Sequence, residues 1–97
     1  FDGNATNIFP LSPAERAAKV LDMAGGVDGV LSLARKALDT GEFQWAAELA
    51  DYVLAVETKS ALALQLKAIA LTELGQRQVN ATARNYYLTS AQFLMKN

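Results

Sequence analysis

Residues 27–56 read VDGVLSLARKALDTGEFQWAAELADYVLAV. On each side of Gly41, apolar residues recur three or four positions apart, which is the spacing that places side chains on one face of a helix. A glycine commonly follows the last residues of a helix because it adopts the left-handed conformation without strain. The stretch therefore predicts two helices, Val27–Thr40 and Phe43–Val56, whose short connection requires them to pack antiparallel.

One further helix is predicted before this pair. Ser12 is a favourable N-cap, Pro13 suits the first helical position, and Glu15 can complete a capping box with Ser12. The helix is expected to run to Met23, after which Gly25-Gly26 breaks the chain. A phosphate-binding loop is the other interpretation of these glycines, but no Gly-Lys-Ser/Thr follows them, so a turn between helices is favoured.

Two more helices are predicted after the pair. They are Ser60–Leu74, which we expect to end at Gly75, and Val79–Lys96. Residues 1–11 are rich in Gly, Asn and Pro and show no helical period, so they are expected to form an extended arm or linker. The prediction is an all-α fold, with a five-helix antiparallel array in residues 12–97.

An internal repeat bears on the arrangement of these helices. At an offset of 34 residues, Gly41 matches Gly75 and Tyr52 matches Tyr86. A helix–turn–helix unit of this length is typical of tetratricopeptide repeats. We therefore expect two tetratricopeptide-like helical hairpins preceded by one extra helix, with each glycine ending the first helix of its hairpin.

The fourth and fifth helices carry apolar or aromatic side chains around much of their circumference, which requires burial on several sides. The adjacent Tyr86 and Tyr87 cannot both face one core, since successive helix positions point about 100° apart. Five helices are too few to cover these surfaces, so we expect symmetrical self-association. The expected interface residues are Leu62, Leu66, Ile69, Tyr86, Tyr87 and Phe93.

The composition argues against a catalytic or metal centre. The 97 residues include no His and no Cys, the side chains on which most zinc sites are built. The net charge of −1 gives no general attraction to nucleic acid, and no apolar run is long enough to span a membrane. We expect a soluble, non-enzymatic chain with no cofactor of its own, in a compartment that the missing cysteines do not reveal.

Two side chains have alternative interpretations. Trp45 is either a core residue between the second and third helices, which is favoured, or an anchor at an interface. Arg84 either binds an anionic group or, as favoured, pairs with a carboxylate such as that of Glu48 or Asp51 or caps a backbone carbonyl.

Four strings carry a more specific resemblance. They are FDGN at 1–4, AGGVDGVL at 24–31, ARKALDTGEFQWAAEL at 34–49 and ARNYYLTSAQ at 83–92. In order and spacing they resemble the dimerisation domain of alkyl sulfatases of the metallo-β-lactamase superfamily, enzymes that hydrolyse dodecyl sulfate. The positions that carry the match best are Gly25, Gly26, Gly41, Trp45, Arg84, Asn85, Tyr87 and Gln92.

The resemblance implies a longer parent protein. In that family a zinc-binding catalytic domain precedes the helical domain and a sterol-carrier-like domain follows it. The implied parent reaction is hydrolysis of a sulfate ester by a metal-activated water, with the zinc ligands outside this chain. The implied partners are a second copy of this chain and the two other domains of the parent, and the family favours a periplasmic or secreted location.

A free-standing tetratricopeptide-like adaptor that binds peptides is the alternative function. Adaptors of the carboxylate-clamp kind line their groove with Lys, Arg and Asn, whereas the inner helices here are rich in Leu and Ala. A small helical enzyme is a third interpretation, but the sequence shows no nucleophile–base constellation. The dimerisation module is therefore preferred.

Overall fold

The structure is a computed structural model that describes residues 3, 4, 6, 8–77 and 81–95, with the backbone alone for 81–86. This part of the chain contains five helices and no strand, so the all-α prediction is confirmed. The expected arm at 1–11 and the expected ends of the fifth helix lie partly outside the described residues. The helices are α1 (Pro13–Met23), α2 (Gly26–Asp39), α3 (Phe43–Val56), α4 (Ala61–Gln76) and α5 (Ala81–Met95).

The start of α1 follows from its capping residues. The Ser12 hydroxyl oxygen accepts a hydrogen bond from the backbone N–H of Glu15 at 3.2 Å. The same hydroxyl donates to the Glu15 carboxylate at 2.8 Å, so the two side chains hold each other in place. Pro13, which has no N–H to satisfy, occupies the first turn. The predicted N-terminus of α1 is thus confirmed. In a capping box the Glu15 carboxylate accepts from the backbone N–H of Ser12, whereas here it accepts from the Ser12 hydroxyl.

Gly41 ends α2 as predicted. Its φ of +81° lies in the left-handed region, which only glycine adopts without strain. The backbone N–H of Glu42 donates to the carbonyl of Ala37 at 2.8 Å, and that of Gly41 donates to Leu38 at 3.2 Å. This pairing is the Schellman motif, which satisfies carbonyls that the end of a helix leaves open. It also lets α3 begin at Phe43.

Gly75 does not end α4, so that prediction is wrong. The helix continues through Gly75 to Gln76, and Gly75 itself is buried. A Cβ atom at this position would lie 2.9 Å from the Cγ of Leu88 and 3.1 Å from the Cβ of Tyr87. The glycine therefore permits α4 and α5 to approach closely. Gly41 ends a helix and Gly75 does not, so the two glycines are not equivalent positions of a repeat. The tetratricopeptide-like arrangement is therefore not confirmed.

The helices pack around α3 and α4. Helix α3 contacts α1, α2 and α4, and α4 also contacts α2 and α5. Among the described elements, α5 contacts only α4. Ala61 and Leu64 of α4 share a groove with Leu94 and Met95 of α5, whereas the far end of α4 lies against Leu88. The two helices therefore run antiparallel.

Small side chains dominate the core. Small residues allow helix axes to approach, so contact between backbones compensates for the small volume of each side chain. None of the described polar or charged residues is buried. The buried core residues of α2, α3 and α4 are Val30, Ala34, Ala37, Ala46, Ala47, Leu49, Ala50, Val53, Ala63, Leu66, Ala68 and Ala70.

Candidate functional site

Helix α4 presents a partly apolar stripe to solvent. Leu62 and Ile69 are 41% and 43% exposed, and Gln65 lies between them on the same face. The remaining faces of α4 are occupied by α3, α5 and, at one edge, α2. Most of the apolar side chains around α4 thus pack within the chain, whereas the large side chains of Leu62 and Ile69 remain exposed.

Leu66 differs from its neighbours on this helix. It was expected at the interface with Leu62 and Ile69, but it is only 3% exposed and belongs to the core of the chain. Successive positions rotate by about 100°, so a residue four positions after Leu62 is displaced by about 40° around the axis. That displacement places Leu66 in the buried core cluster, which contains residues of α2, α3 and α4. It forms the floor of a groove between α2 and α4, beside the exposed Leu62.

The expected interface residues of α5 divide in a similar way. Phe93 is 69% exposed, whereas Tyr87 is half-buried with its Cβ atom close to Gly75 of α4. The side chain of Tyr86 lies outside the described residues. Ala91 is buried, and Phe93, two positions further along, is rotated by about 200° from it. The face of α5 that carries Phe93 therefore points away from the core of the chain.

Trp45 is 45% exposed, so the favoured interpretation as a core residue is wrong. The following Ala46 and Ala47 are buried and form the contact face of α3 at this level. Trp45 is rotated by about 100° from Ala46, toward solvent. A half-exposed Trp on a helix leaves the alternative of an interface anchor open to experiment.

The remaining positions of the family motif lie on turns and on α5. Gly25, Gly26 and Gly41 all have positive φ. Gly25 and Gly41 lie between helices as expected, whereas Gly26 is the first residue of α2. Gln92 is exposed on α5. The side chains of Arg84 and Asn85 lie outside the described residues.

The carboxylates considered as partners of Arg84 have other contacts. Glu48 accepts a hydrogen bond from the Gln44 amide at 3.0 Å. Asp51 forms an ion pair with Lys67 at 2.8 Å, which joins α3 to α4. These carboxylates therefore take part in contacts within the helical array.

Neither a cluster of metal-ligating side chains nor a buried charge occurs among the described residues. No group of three or more Asp and Glu residues among them could hold a metal ion. Every charged side chain described is at least partly exposed. Within the described ranges, no helix is both long enough and apolar enough to cross a membrane.

The structure shows a surface that the sequence pattern does not reveal. A groove of about 270 Å³ lies between α2 and α4 and is lined by Leu62, Leu66 and four residues of α2. Its charged residues are Asp28 and Arg35. In the sequence they alternate with apolar residues at ordinary helical spacing, which is the pattern of a solvent-exposed helix face. Only the position of α4 shows that they border a groove.

Comparison with known proteins gives the family. The sequence model of the family described as alkyl sulfatase dimerisation matches residues 1–97. The chain is 38% identical to a linear primary-alkylsulfatase of Pseudomonas sp. over 97% of its length, and 35% identical to an (R)-specific secondary-alkylsulfatase of Pseudomonas sp. over 94%. It spans 14% of the length of each of these relatives.

A solved structure gives the same result. The stereoselective inverting sec-alkylsulfatase Pisa1 from Pseudomonas sp. matches 97% of this chain with a TM-score of 0.86 and 35% identity, over 15% of its own length. Sequence and fold therefore agree over nearly all of the chain. The chain belongs to the alkyl sulfatase dimerisation family.

Proposed function

We propose that this chain is the non-catalytic helical domain that joins two copies of a longer, alkyl-sulfatase-like zinc hydrolase. The observation that carries the proposal is the match of the dimerisation family over residues 1–97, while the chain spans only 14% of a full alkylsulfatase. The proposal places the catalytic part of such an enzyme, which hydrolyses the sulfate ester, outside these 97 residues.

The residues of this chain do not fit the zinc that the family implies. Zinc in hydrolases is held by His, Cys or carboxylate ligands, and the chain has no His and no Cys. The described carboxylates form no cluster that could replace them. The proposal therefore assigns the metal, and the activation of water that zinc supplies when bound, to the other domains of the parent.

The exposed apolar residues give the domain a surface that a partner can cover. Leu62 and Ile69 on α4 and Phe93 on α5 are large side chains exposed to water. Covering them with a second copy removes apolar area from water, and stable interfaces bury at least about 1,200 Å² in total. The catalytic and C-terminal domains of the parent are the other proposed partners. A periplasmic or secreted location is proposed from the family alone.

Sedimentation equilibrium of this chain tests the proposal. At about 100 µM, a concentration at which even micromolar dimers are nearly saturated, we expect a mass of two chains. A folded monomer at that concentration, with the helical circular dichroism of the native chain, contradicts self-association through this domain alone. Zinc-free buffer is the appropriate condition, because the proposal assigns no structural metal to the chain.

A further inference from the structure

Four residues of α2 form a stripe along one wall of the groove between α2 and α4. Asp28, Leu31, Ser32 and Arg35 follow the spacing i, i+3, i+4 and i+7, which places all four on one face of the helix. Leu62 and Leu66 of α4 form the opposite wall and the floor. We call these six residues the α2–α4 groove.

The charges of the stripe lie at its two ends and have opposite signs. Asp28 is in the first turn of α2 and Arg35 is two turns further on, and both are exposed. Within the described part of the chain, neither side chain forms an ion pair. A helix rises about 1.5 Å per residue, so their Cα atoms are roughly 10.5 Å apart. The point midway between them falls between Leu31 and Ser32.

We propose that a second copy of this chain occupies the α2–α4 groove, with the two α2 helices antiparallel and the two-fold axis between Leu31 and Ser32. This inference rests on the proposed function, and it specifies where the two copies meet. In a two-fold contact, residue i meets residue j and residue j meets residue i. Asp28 of each copy then meets Arg35 of the partner subunit, which gives two ion pairs.

The residues at the centre of the stripe fit the same arrangement. Ser32 has a small side chain, so two α2 helices can approach closely at the axis. Leu31 is half-buried and Leu62 is 41% exposed, so both offer apolar area that a second helix can cover. The contact therefore has an apolar centre with charged residues at its rim, as interfaces between proteins commonly have.

The charge pattern favours a second copy over a peptide ligand. One carboxylate and one guanidinium placed at equal distances from a centre are complementary to the same pair rotated by 180°. An acidic peptide would be repelled by Asp28 at one end of the groove, and a basic peptide by Arg35 at the other. An antiparallel copy of α2 satisfies both ends at once.

Charge reversal tests the arrangement. Asp28→Arg places two arginines opposite each other across the axis, and Arg35→Asp places two aspartates there. We expect each variant alone to dimerise at least about tenfold more weakly than the wild type, because like charges face each other twice. The double variant D28R/R35D restores opposite charges and is expected to recover most of the wild-type affinity. Raising the salt concentration should reduce these differences.

Mixing the two single variants gives the sharper test. In a heterodimer of D28R with R35D, an arginine faces an aspartate at both contacts. The heterodimer therefore lacks the like-charge repulsion that weakens each homodimer. If each homodimer is weakened tenfold, heterodimers form about 90% of the dimers instead of the statistical half. Native mass spectrometry with one variant labelled with ¹⁵N measures this fraction.

Matched controls separate the groove from general effects of charge. Lys36→Asp changes the charge by the same amount as R35D on the next residue of α2, outside the groove, and Asp22→Arg does the same for D28R on α1. Both are expected to keep the wild-type dissociation constant within about threefold. Circular dichroism of each variant confirms that the chain is folded.

The outcomes distinguish this inference from the proposed function. A wild-type dimer with equal affinities for all variants and statistical mixing overturns the α2–α4 groove but leaves self-association in place. A wild-type chain that stays monomeric at about 100 µM overturns both. Weaker single variants, a recovered double variant and preferred heterodimers together support the inference.

Discussion

Gly75 of α4 and Leu88 of α5 approach so closely that a Cβ atom added to Gly75 would lie 2.9 Å from the Cγ of Leu88. Gly75 is the second-last residue of α4 and Leu88 lies in the middle of α5, so the contact joins the end of one helix to the middle of the other. Since α5 packs on α4 alone among the described elements, this crossing decides how α5 is held.

Gly75→Ala should therefore destabilise the chain. In an exposed helix the change would stabilise by up to about 1 kcal/mol, but here the new methyl group must displace Leu88 or move α5. We expect a net loss of about 1–3 kcal/mol in the free energy of unfolding, measured by urea denaturation at one fixed protein concentration. In a Leu88→Ala background the cost of Gly75→Ala should shrink, because the facing side chain is gone. An equal cost in both backgrounds contradicts the close contact.

Leu62→Asp and Leu66→Asp should have different effects. Leu66 is in the core, so an unpaired charge there is expected to unfold the chain and abolish its helical circular dichroism. Leu62 is exposed, so its variant should remain folded and dimerise at least about tenfold more weakly. Circular dichroism and sedimentation measure the two properties separately. A folded Leu66→Asp chain, or a Leu62→Asp chain with wild-type affinity, is the contrary result.

Phe93→Asp tests whether α5 belongs to the same interface. Phe93 is 69% exposed on the face of α5 that points away from the core, so we expect the variant to fold. If a second copy covers this side chain, the dimer should weaken by about tenfold or more, as measured by sedimentation. Thr89→Asp, on an exposed position of the same helix, is the control for added charge. A weakened Leu62→Asp dimer beside an unchanged Phe93→Asp dimer would confine the interface to α2 and α4.

The ion pair between Lys67 and Asp51 should contribute little to stability. The side chains are 27% and 54% exposed, so water and salt screen their attraction. We expect a coupling energy of about 0.2–1 kcal/mol from a double-mutant cycle of Asp51→Asn and Lys67→Gln, decreasing in 1 M salt. A coupling well above this range would show that the pair is protected from solvent, for example by a second copy.

The isolated chain is expected neither to retain zinc nor to hydrolyse a sulfate ester. It has no His and no Cys, and the described carboxylates form no metal cluster. The measurement is elemental analysis after dialysis, with an assay on dodecyl sulfate alongside. Stoichiometric zinc together with activity that rises with zinc content would contradict the assignment of catalysis to the other domains.

Local chemistry is sufficient to predict where α1 begins and where α2 ends. Ser12, Pro13 and Glu15 lie within four positions of one another, and their hydrogen bonds form without any contact from the rest of the chain. The same holds for Gly41, whose left-handed conformation closes α2 by bonds to residues a few positions back. For this reason the all-α class and the helix count can be predicted from the sequence, and the four motif strings separately carry the family resemblance.

Only the tertiary structure decided the roles of Gly75, Leu66 and Trp45. A glycine after an apolar helix can end it or lie inside it, and here Leu88, thirteen positions further along, determines which. Leu62 and Leu66 are the same residue type one turn apart, yet one is exposed and the other buried, because α2 and α3 cover one side of that face. Helical periodicity specifies which residues share a face, whereas burial depends on which other helix lies against that face.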